Sequence, residues 1–430
     1  MSEKNLTMDG VETRRPDGTR RVVITGMGAV SPAGVGVEAL WDALMERRCC
    51  IDEIERFDTS DFDVRIGGEV RGFDPTEHGL TKKEAHRNDR FVNYAIVAAD
   101  EAMAQSGLNM DDEDATRIGC VFGTGIGGLD ELDRGYKNLH ERGPKRVSPL
   151  IVPAMIGDSA AGNLAIRYGL KGENLDVVTA CATGLHSMGT ALRDIRHGYI
   201  DAALVGGTEE SISPLCIAGF MRLGALSKSE DPKEASLPFD ARRTGFVTGE
   251  GAGALVIESL EHALGRGATI IAELTGYGST GDAYHATAPS PDADGILRAM
   301  RQALDEGGFS PEDLGSLSAH GTGTPANDKV ESLALLKLCG EERGREVPVC
   351  AVKGTIGHAL GASGAFGAIV TALSVSRDCV PPTTGFAEAD PECPVRVLTE
   401  PLRNYPQKVA LVNALGFGGH NASIAISPLA

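Results

Sequence analysis

Four short stretches carry side chains that could do covalent and acid–base chemistry together. The first is LDVVTACATGLHSMGTALRDIRHG, residues 175–198, with Cys181 at the turn between a short β-favouring run and a helix. Val177 and Val178 lie in that run. Leu185, Met188, Leu192 and Ile195 follow at helical spacing and predict a buried helix face. Arg193, Arg196 and His197 crowd the last turn, and Gly198 is the expected stop. A thiol at a helix N-terminus meets the positive end of the macrodipole and free N–H groups, which favour a thiolate. The arrangement is a cysteine form of the nucleophile elbow. A free cysteine packed in the core fits this stretch as well.

The other three stretches are SAHGTGTP with His320, VKGTIGHALG with Lys353 and His358, and the glycine run GFGG at 416–419. Each has a plain reading too: a loop histidine, a surface lysine, a helix-capping histidine, a tight turn. Taken together, a thiolate and two histidines suit acyl transfer through a covalent thioester. Glycine-rich backbone beside the cysteine can present N–H donors to a tetrahedral oxyanion. The histidines are not in ligand-spaced pairs, so no metal site is expected.

The elements that must position these residues come in two copies. AMAQSGLNMDDEDATRIGCVFGTG, from Ala102, matches MRQALDEGGFSPEDLGSLSAHGTG, from Met300. Both read as helix, glycine break, acidic loop, strand and GTG turn. VVTACATGLHSMGTA matches VCAVKGTIGHALGASGA, and AALVGGTEES matches ALVNALGFGGHN, in the same order. The chain therefore reads as two βα halves, 21–267 and 268–430, joined near 264–270, with mostly parallel sheets covered by helices. The reactive turns fall at matched positions and would converge on the shared face. Residues 1–20 are expected to be a disordered extension. A buried strand over 22–25 comes next, with Gly26 and Gly28 in the turn after it. Helices are expected over 37–46 and 82–106, with residues 50–80 loop-rich. Gly123, Gly125 and Gly128 satisfy G-x-G-x-x-G, but the DELDRGYKN that follows is too charged to pack a helix on a sheet as a dinucleotide fold requires.

The 430 residues, 42% hydrophobic and 23% charged, describe a globular chain with a large core. A net charge of −19 argues against nucleic acid as a partner. No apolar run is long enough to span a membrane, and the polar N-terminus shows no signal peptide. Nine cysteines without a CxxC pair fit reduced thiols, so a cytoplasmic protein is expected.

TACATG at Cys181, AHGTGTP at His320, KGTIGH ending at His358 and the C-terminal GFGGHN together resemble the β-ketoacyl-ACP synthases, closest to the elongating synthase II type. The resemblance runs from about Arg21 to the C-terminus. GPKRVSP at 143–149, PFDARRTGFVTGEGAGALVIE at 238–258 and GDAYHATAPSPD at 281–292 support it. It implies the thiolase-like fold, two duplicated halves in a five-layered αβαβα arrangement, usually a homodimer. It implies a decarboxylative Claisen condensation. Cys181 takes an acyl chain from acyl-ACP. His320 and His358 promote decarboxylation of malonyl-ACP, and the product is 3-ketoacyl-ACP, two carbons longer. Lys353 would orient or charge-tune the histidines, and Glu331 matches a buried structural carboxylate near it. The N–H groups of Cys181 and Phe417 would form the oxyanion hole, with Phe417 also the gate. Ile126 matches the end of the acyl pocket near the dimer interface. Lys82, Lys83 and Arg87, with Lys145 and Arg146, would dock the acidic carrier protein. A further docking arginine of the family falls near Gly224, two residues from Arg222. No metal or organic cofactor is implied, since phosphopantetheine arrives on the carrier protein.

ALGFGGHN stands where synthase II usually has SFGFGGTN, so Leu415 replaces a pocket-lining phenylalanine. KGTIGH and the Asn327–Asp328 pair lean towards polyketide and polyene ketosynthases that work with a partner subunit as a heterodimer. The C-terminal glycine motif lacks the second cysteine of a thiolase. Synthase III would pair its cysteine with one histidine and an asparagine. A non-catalytic chain-length-factor subunit would lack Cys181.

Overall fold

The structure, a computed structural model, describes residues 10–429. Strand β1 (Val22–Ser31) is buried along its whole length. Gly26 and Gly28 lie inside it, not in a turn after it. The expected helix over 82–106 is two helices, α1 (Lys82–Arg87) and α2 (Arg90–Ser106). Thr81 and Glu84 form a capping box on α1. Asn88 is extended, and the Asp89 carboxylate caps α2 by accepting from Phe91 N at 3.4 Å. Strand β2 (Ile118–Thr124) is buried throughout, whereas the charged α3 (Leu129–Arg142) lies on the surface with only Glu131 and Gly135 buried.

The run before Cys181 forms only a two-residue edge strand, β3 (Asn174–Leu175), and Val178 beyond it is 58% exposed. Helix α4 (Thr183–His197) follows, stopped by Gly198 in the left-handed region. Then come β4 (Ala202–Glu209), α5 (Pro214–Leu223) and β5 (Gly251–Ser259). The second half supplies β6 (Ala272–Gly281), α6 (Asp294–Gly307), β7 (Leu314–Ser318) and α7 (Pro325–Cys339). It ends with β8 (Pro348–Cys350), α8 (Ser363–Ser376), β9 (Val409–Gly416) and β10 (His420–Ser427).

The ten strands order as β3-β2-β4-β5-β1-β6-β10-β9-β7-β8, which reads the same from either end once the halves are matched, and a two-residue strand, Arg396–Val397, adds on parallel beyond β8. The two half-sheets meet where β1 and β6 pair antiparallel, Val22 opposite Leu274. The expectation of mostly parallel sheets does not hold. Parallel pairing is confined to the outer strands, β3-β2-β4 and β9-β7-β8, and the middle is antiparallel. The physical reason is plain at β9 and β10. They are joined by a short turn, and neighbouring strands so joined must run antiparallel.

Five layers result. Helices α2 and α6 cover the outer faces of the two half-sheets, and α4 and α8 lie between them. Helix α8 is buried on every side from Ser363 to Val375, as an apolar central helix must be. The central helices touch at two glycines. A Cβ on Gly184 would stand 2.8 Å from Ala365 N, and one on Gly364 would stand 2.8 Å from Leu185 N.

A further repeat accounts for Gly26 and Gly28. Thr25-Gly26-Met27-Gly28 on β1 corresponds to Thr275-Gly276-Tyr277-Gly278 on β6. A Cβ on Gly26 or Gly28 would meet the Ala102 or Ala98 carbonyl oxygen of α2 at 2.0 or 1.9 Å. On Gly276 or Gly278 it would meet Ala303 O or Ala299 O of α6 at 1.9 or 1.8 Å. Each pair is a groove into which a helix backbone sinks. Gly278→Val is therefore expected to destabilise the protein by about 3 kcal/mol or more, read from the urea midpoint, because backbone cannot step aside as a side chain does.

The expected disordered extension is corrected over 10–20; residues 1–9 lie outside the described residues. Arg14 bridges to Arg20, Arg15 Nη1 donates to Thr275 O at 3.0 Å, and Arg20 Nη1 donates to Asp201 at 2.6 Å. The segment thus touches both halves. Among the described residues, no helix is long and apolar enough to cross a membrane.

Candidate active site

Cys181 sits in a 3-10 turn, Ala180–Ala182, that runs straight into α4. Ala180 adopts a φ of 51°, costly for a residue with a Cβ by about 1–3 kcal/mol. Leu360, at the matched turn Leu360–Ala362 before α8, does the same with a φ of 39°. The two elbows are one device used twice, with Gly361 where the first half has Cys181. Glu209, at the end of β4, ties the second elbow to the turn that leaves β2. Its buried carboxylate accepts from Gly361 N at 2.9 Å, Gly125 N at 2.8 Å and Thr124 Oγ1 at 2.8 Å.

The Cys181 side chain is buried against the backbone N–H groups of Phe417 and of Cys181 itself. The β9–β10 turn reaches it because Gly416 has no side chain. A Cβ there would stand 2.5 Å from Thr179 O and 3.3 Å from Cys181 N. The expected thiolate is corrected. Burial pushes the thiol up to about 12, although the Lys353 charge and the two N–H groups pull the other way. Thiolate content must then rise with pH throughout the accessible range. Alkylation of Cys181 by iodoacetamide, followed by mass spectrometry, is expected to quicken about tenfold per pH unit from pH ~7 to ~10 without a plateau.

His320 follows β7, and His358 follows the short helix Lys353–Ile356. Both are buried, with ring centroids 5.3 Å apart and planes at 84°. Glu331 on α7 fixes the first histidine's backbone by accepting from His320 N at 2.8 Å and Gly321 N at 2.9 Å. Lys353 Nζ lies 3.3 Å from His320 Nδ1 and 2.5 Å from His320 O. A protonated lysine only donates, so Nδ1 accepts and the ring hydrogen of His320 sits on Nε2. His358 Nδ1 is 2.9 Å from Ser363 Oγ, and the Phe246 ring packs 5.1 Å from the imidazole.

Burial, reinforced by the Lys353 charge, holds both imidazoles well below the usual histidine range, so they are neutral at pH ~7. Burial also lowers Lys353, while the Glu331 carboxylate opposes that shift. A pocket of about 350 Å³ opens over these groups, lined among others by Cys181, His320, His358, Leu415 and Phe417. One thiol, two neutral imidazoles and two converging N–H donors thus face a single cavity drawn from both halves.

Residues 19–263 match the N-terminal domain of beta-ketoacyl synthases, and residues 271–387 match the C-terminal domain. The chain belongs to the β-ketoacyl synthase family. It is 46% identical over 403 residues to 3-oxoacyl-[acyl-carrier-protein] synthase 2 of Staphylococcus aureus (strain N315), covering 94% of this chain and 97% of that one. Among solved structures, it is similar to the ishigamide ketosynthase/chain length factor, with a TM-score of 0.87 and 36% identity over 95% of this chain and 99% of that one. It is also similar to a type II PKS acyl-carrier protein in complex with its ketosynthase bound to the hexaketide. There the TM-score is 0.87 and the identity 32%, over 95% of this chain and 99% of that one.

The remaining positions of interest in this synthase fall on its surface. Ile126 does not line the pocket around Cys181; it is 42% exposed on the turn after β2. Lys82, Lys83 and Arg87 are exposed on α1, and Lys145 and Arg146 on the 3-10 turn Pro144–Arg146. Arg222 is exposed on α5 beside Leu223 and Gly224, which line the pocket. Sequence reasoning passed over Glu209 and Ser363. Their trace in the sequence is position alone: Glu209 ends a strand and Ser363 opens a helix at matched places of the repeat.

Proposed function

We propose that this synthase elongates acyl chains by decarboxylative condensation, with Cys181 as the acyl carrier and His320 and His358 as the enolate site. The observation that carries the proposal is the convergence of the Cys181 thiol, the Phe417 N–H and the two neutral imidazoles on one pocket. The thiol of Cys181 attacks the thioester carbonyl of acyl-ACP. A C–S bond forms to Cys181, and the pantetheine thiol leaves with the proton. The N–H groups of Cys181 and Phe417 hold the oxyanion. Malonyl-ACP then loses CO₂. The electron pair of the broken C–C bond becomes an enolate, whose oxygen accepts from the histidine N–H groups. Neutral imidazoles suit this task, since they donate without first protonating the carbanion. The carbanion attacks the acyl-Cys181 carbonyl, the C–S bond breaks, and the thiolate takes a proton from solvent. The released 3-ketoacyl-ACP is two carbons longer.

Lys353 fixes the His320 tautomer, and Glu331 anchors both the histidine loop and the lysine charge. Leu415 lines the acyl pocket, and Phe417 gates it. The acidic carrier protein docks on Lys82, Lys83 and Arg87 of α1, with Lys145 and Arg146 secondary, and brings the phosphopantetheine arm. Nine cysteines without a CxxC pair support a cytoplasmic location. The chain works as a homodimer. Edge strand β3 offers unpaired backbone groups, and Ile126, Ile156, Leu175 and Val178 form exposed apolar surface beside it. A second copy would also wall the pocket at Ile126.

The likeness to a ketosynthase/chain length factor, together with Leu415 at the pocket wall, supports a second reading: a polyketide or polyene ketosynthase with a partner subunit. Product analysis separates the two. The purified chain alone, given saturated acyl-ACPs of graded length and malonyl-ACP, is expected to yield products two carbons longer and to sediment at twice 45.0 kDa. Turnover only after a second, different subunit is added would establish the partner-dependent ketosynthase.

A further inference from the structure

His186 lies five residues beyond the nucleophile on α4, is 6% exposed, and has no part in the chemistry above. Its ring joins three segments. Nδ1 is 2.7 Å from Thr179 Oγ1, in the turn that presents Cys181. Nε2 is 3.2 Å from Ser279 Oγ, on β6 of the other half. The His420 ring, in the strand leaving the GFGG turn, lies edge-on to the imidazole with centroids 6.3 Å apart. Ser279 and His420 belong to adjacent strands, with Ser279 opposite Ala422 and Gly281 opposite His420. The edge of the Tyr277 ring closes the side, 6.2 Å away, seated on α4 because Gly189 has no Cβ. Burial, with the nearby His420, holds His186 down to about 4, so the ring is neutral and offers one donor and one acceptor.

We infer that His186 is a positioning residue that sets the distance between the two oxyanion donors, Cys181 N and Phe417 N. Those donors come from different halves of the chain. Cys181 N belongs to the turn that Thr179 opens. Phe417 N belongs to the turn between β9 and β10, and Gly416 rests on Thr179 O. The His186 ring grips the first element through Thr179 and meets the second through His420, with Ser279 bracing the neighbouring strand. Oxyanion donors act only when placed to within a fraction of an ångström of the developing charge, and a displacement of about 1 Å costs on the order of a hundredfold. This role rests on the assignment of Cys181 N and Phe417 N as those donors.

The test separates two half-reactions that use different groups. Acyl transfer from dodecanoyl-ACP to Cys181 needs the oxyanion donors, while decarboxylation of malonyl-ACP needs the histidine pair. His186→Leu is expected to slow acyl transfer by about ten- to a hundredfold and to leave decarboxylation within about twofold of the parent. His186→Asn, whose amide reaches the Nδ1 position, is expected to restore most of the acyl transfer. Thr179→Val removes the same contact from the other side and is expected to repeat the split, which keeps the test decisive should His186→Leu not fold. Equal loss of both half-reactions in a folded variant would overturn the inference, leaving His186 merely structural. Unchanged acyl transfer in Thr179→Val and His186→Leu would overturn it as well. Cys181→Ala is the control for the underlying assignment, since acylation that survives it would mean that the nucleophile itself is wrongly placed.

Discussion

Cys181→Ala is expected to lower acyl transfer by about 10⁴-fold or more while the protein still releases CO₂ from malonyl-ACP. The first half of this result follows from chemistry. Among the described residues, no other thiol lines the pocket together with His320 and His358. Removing the sulfur therefore removes the covalent intermediate. The second half follows from construction. His320, Lys353, His358 and their anchor Glu331 all come from the C-terminal half, and none of their contacts runs through the Cys181 side chain. The thiol sits on a strained turn, at Ala180, that is closed by bonds from Thr179 N to Thr183 Oγ1 and from Ala182 N to Thr179 O, so the loss of one sulfur leaves the turn in place. The check is a pair of assays on one preparation, acyl-enzyme formation by intact mass and CO₂ release. Loss of both would contradict the separation of the two centres.

His320→Ala and His358→Ala are expected to show the opposite split. Each should lower decarboxylation by about 10²–10³-fold and leave the single-turnover acylation of Cys181 within a few-fold, because each removes one donor from the enolate oxygen. The two will differ in stability. His320→Ala strips the buried Lys353 of one of its two polar contacts to residue 320, keeping only the carbonyl, which costs about 1–3 kcal/mol. His358→Ala leaves only the Ser363 hydroxyl without its partner, a smaller penalty. Urea midpoints of the two variants give that order directly.

The reactive residues were legible because their chemistry fixes their types. A cysteine in TACATG, a histidine in HGTG and a lysine five residues before a second histidine have few plainer uses in combination. The duplication was legible because each half must bury the same layers with the same kinds of element. What was not legible depends on contacts far apart in sequence. Gly26 and Gly28 read as a turn because glycine usually marks one. Only the approach of Ala98 and Ala102 shows that they make a groove inside a strand. The sheet read as parallel because helices and strands alternate, but the GFGG hairpin and the seam between β1 and β6 make its centre antiparallel.

The charge state of Cys181 was misjudged for a related reason. Sequence shows the helix that follows it, not the burial that outweighs the dipole. Glu209 and His186 carry no motif of their own. One is the acid at the end of a buried strand, the other a polar residue on an apolar helix face. Their roles exist only because the two halves are packed together.

The central claim is that Cys181 carries the chain between the two half-reactions. Intact-mass analysis of the pure protein after exposure to dodecanoyl-ACP, and again after malonyl-ACP is added, tests it most directly. The expected result is one dodecanoyl group, mapped to Cys181, that disappears on the second addition as 3-ketoacyl-ACP two carbons longer forms. An acyl group on another residue, or product formation with no acyl-Cys181 on the way, would contradict it.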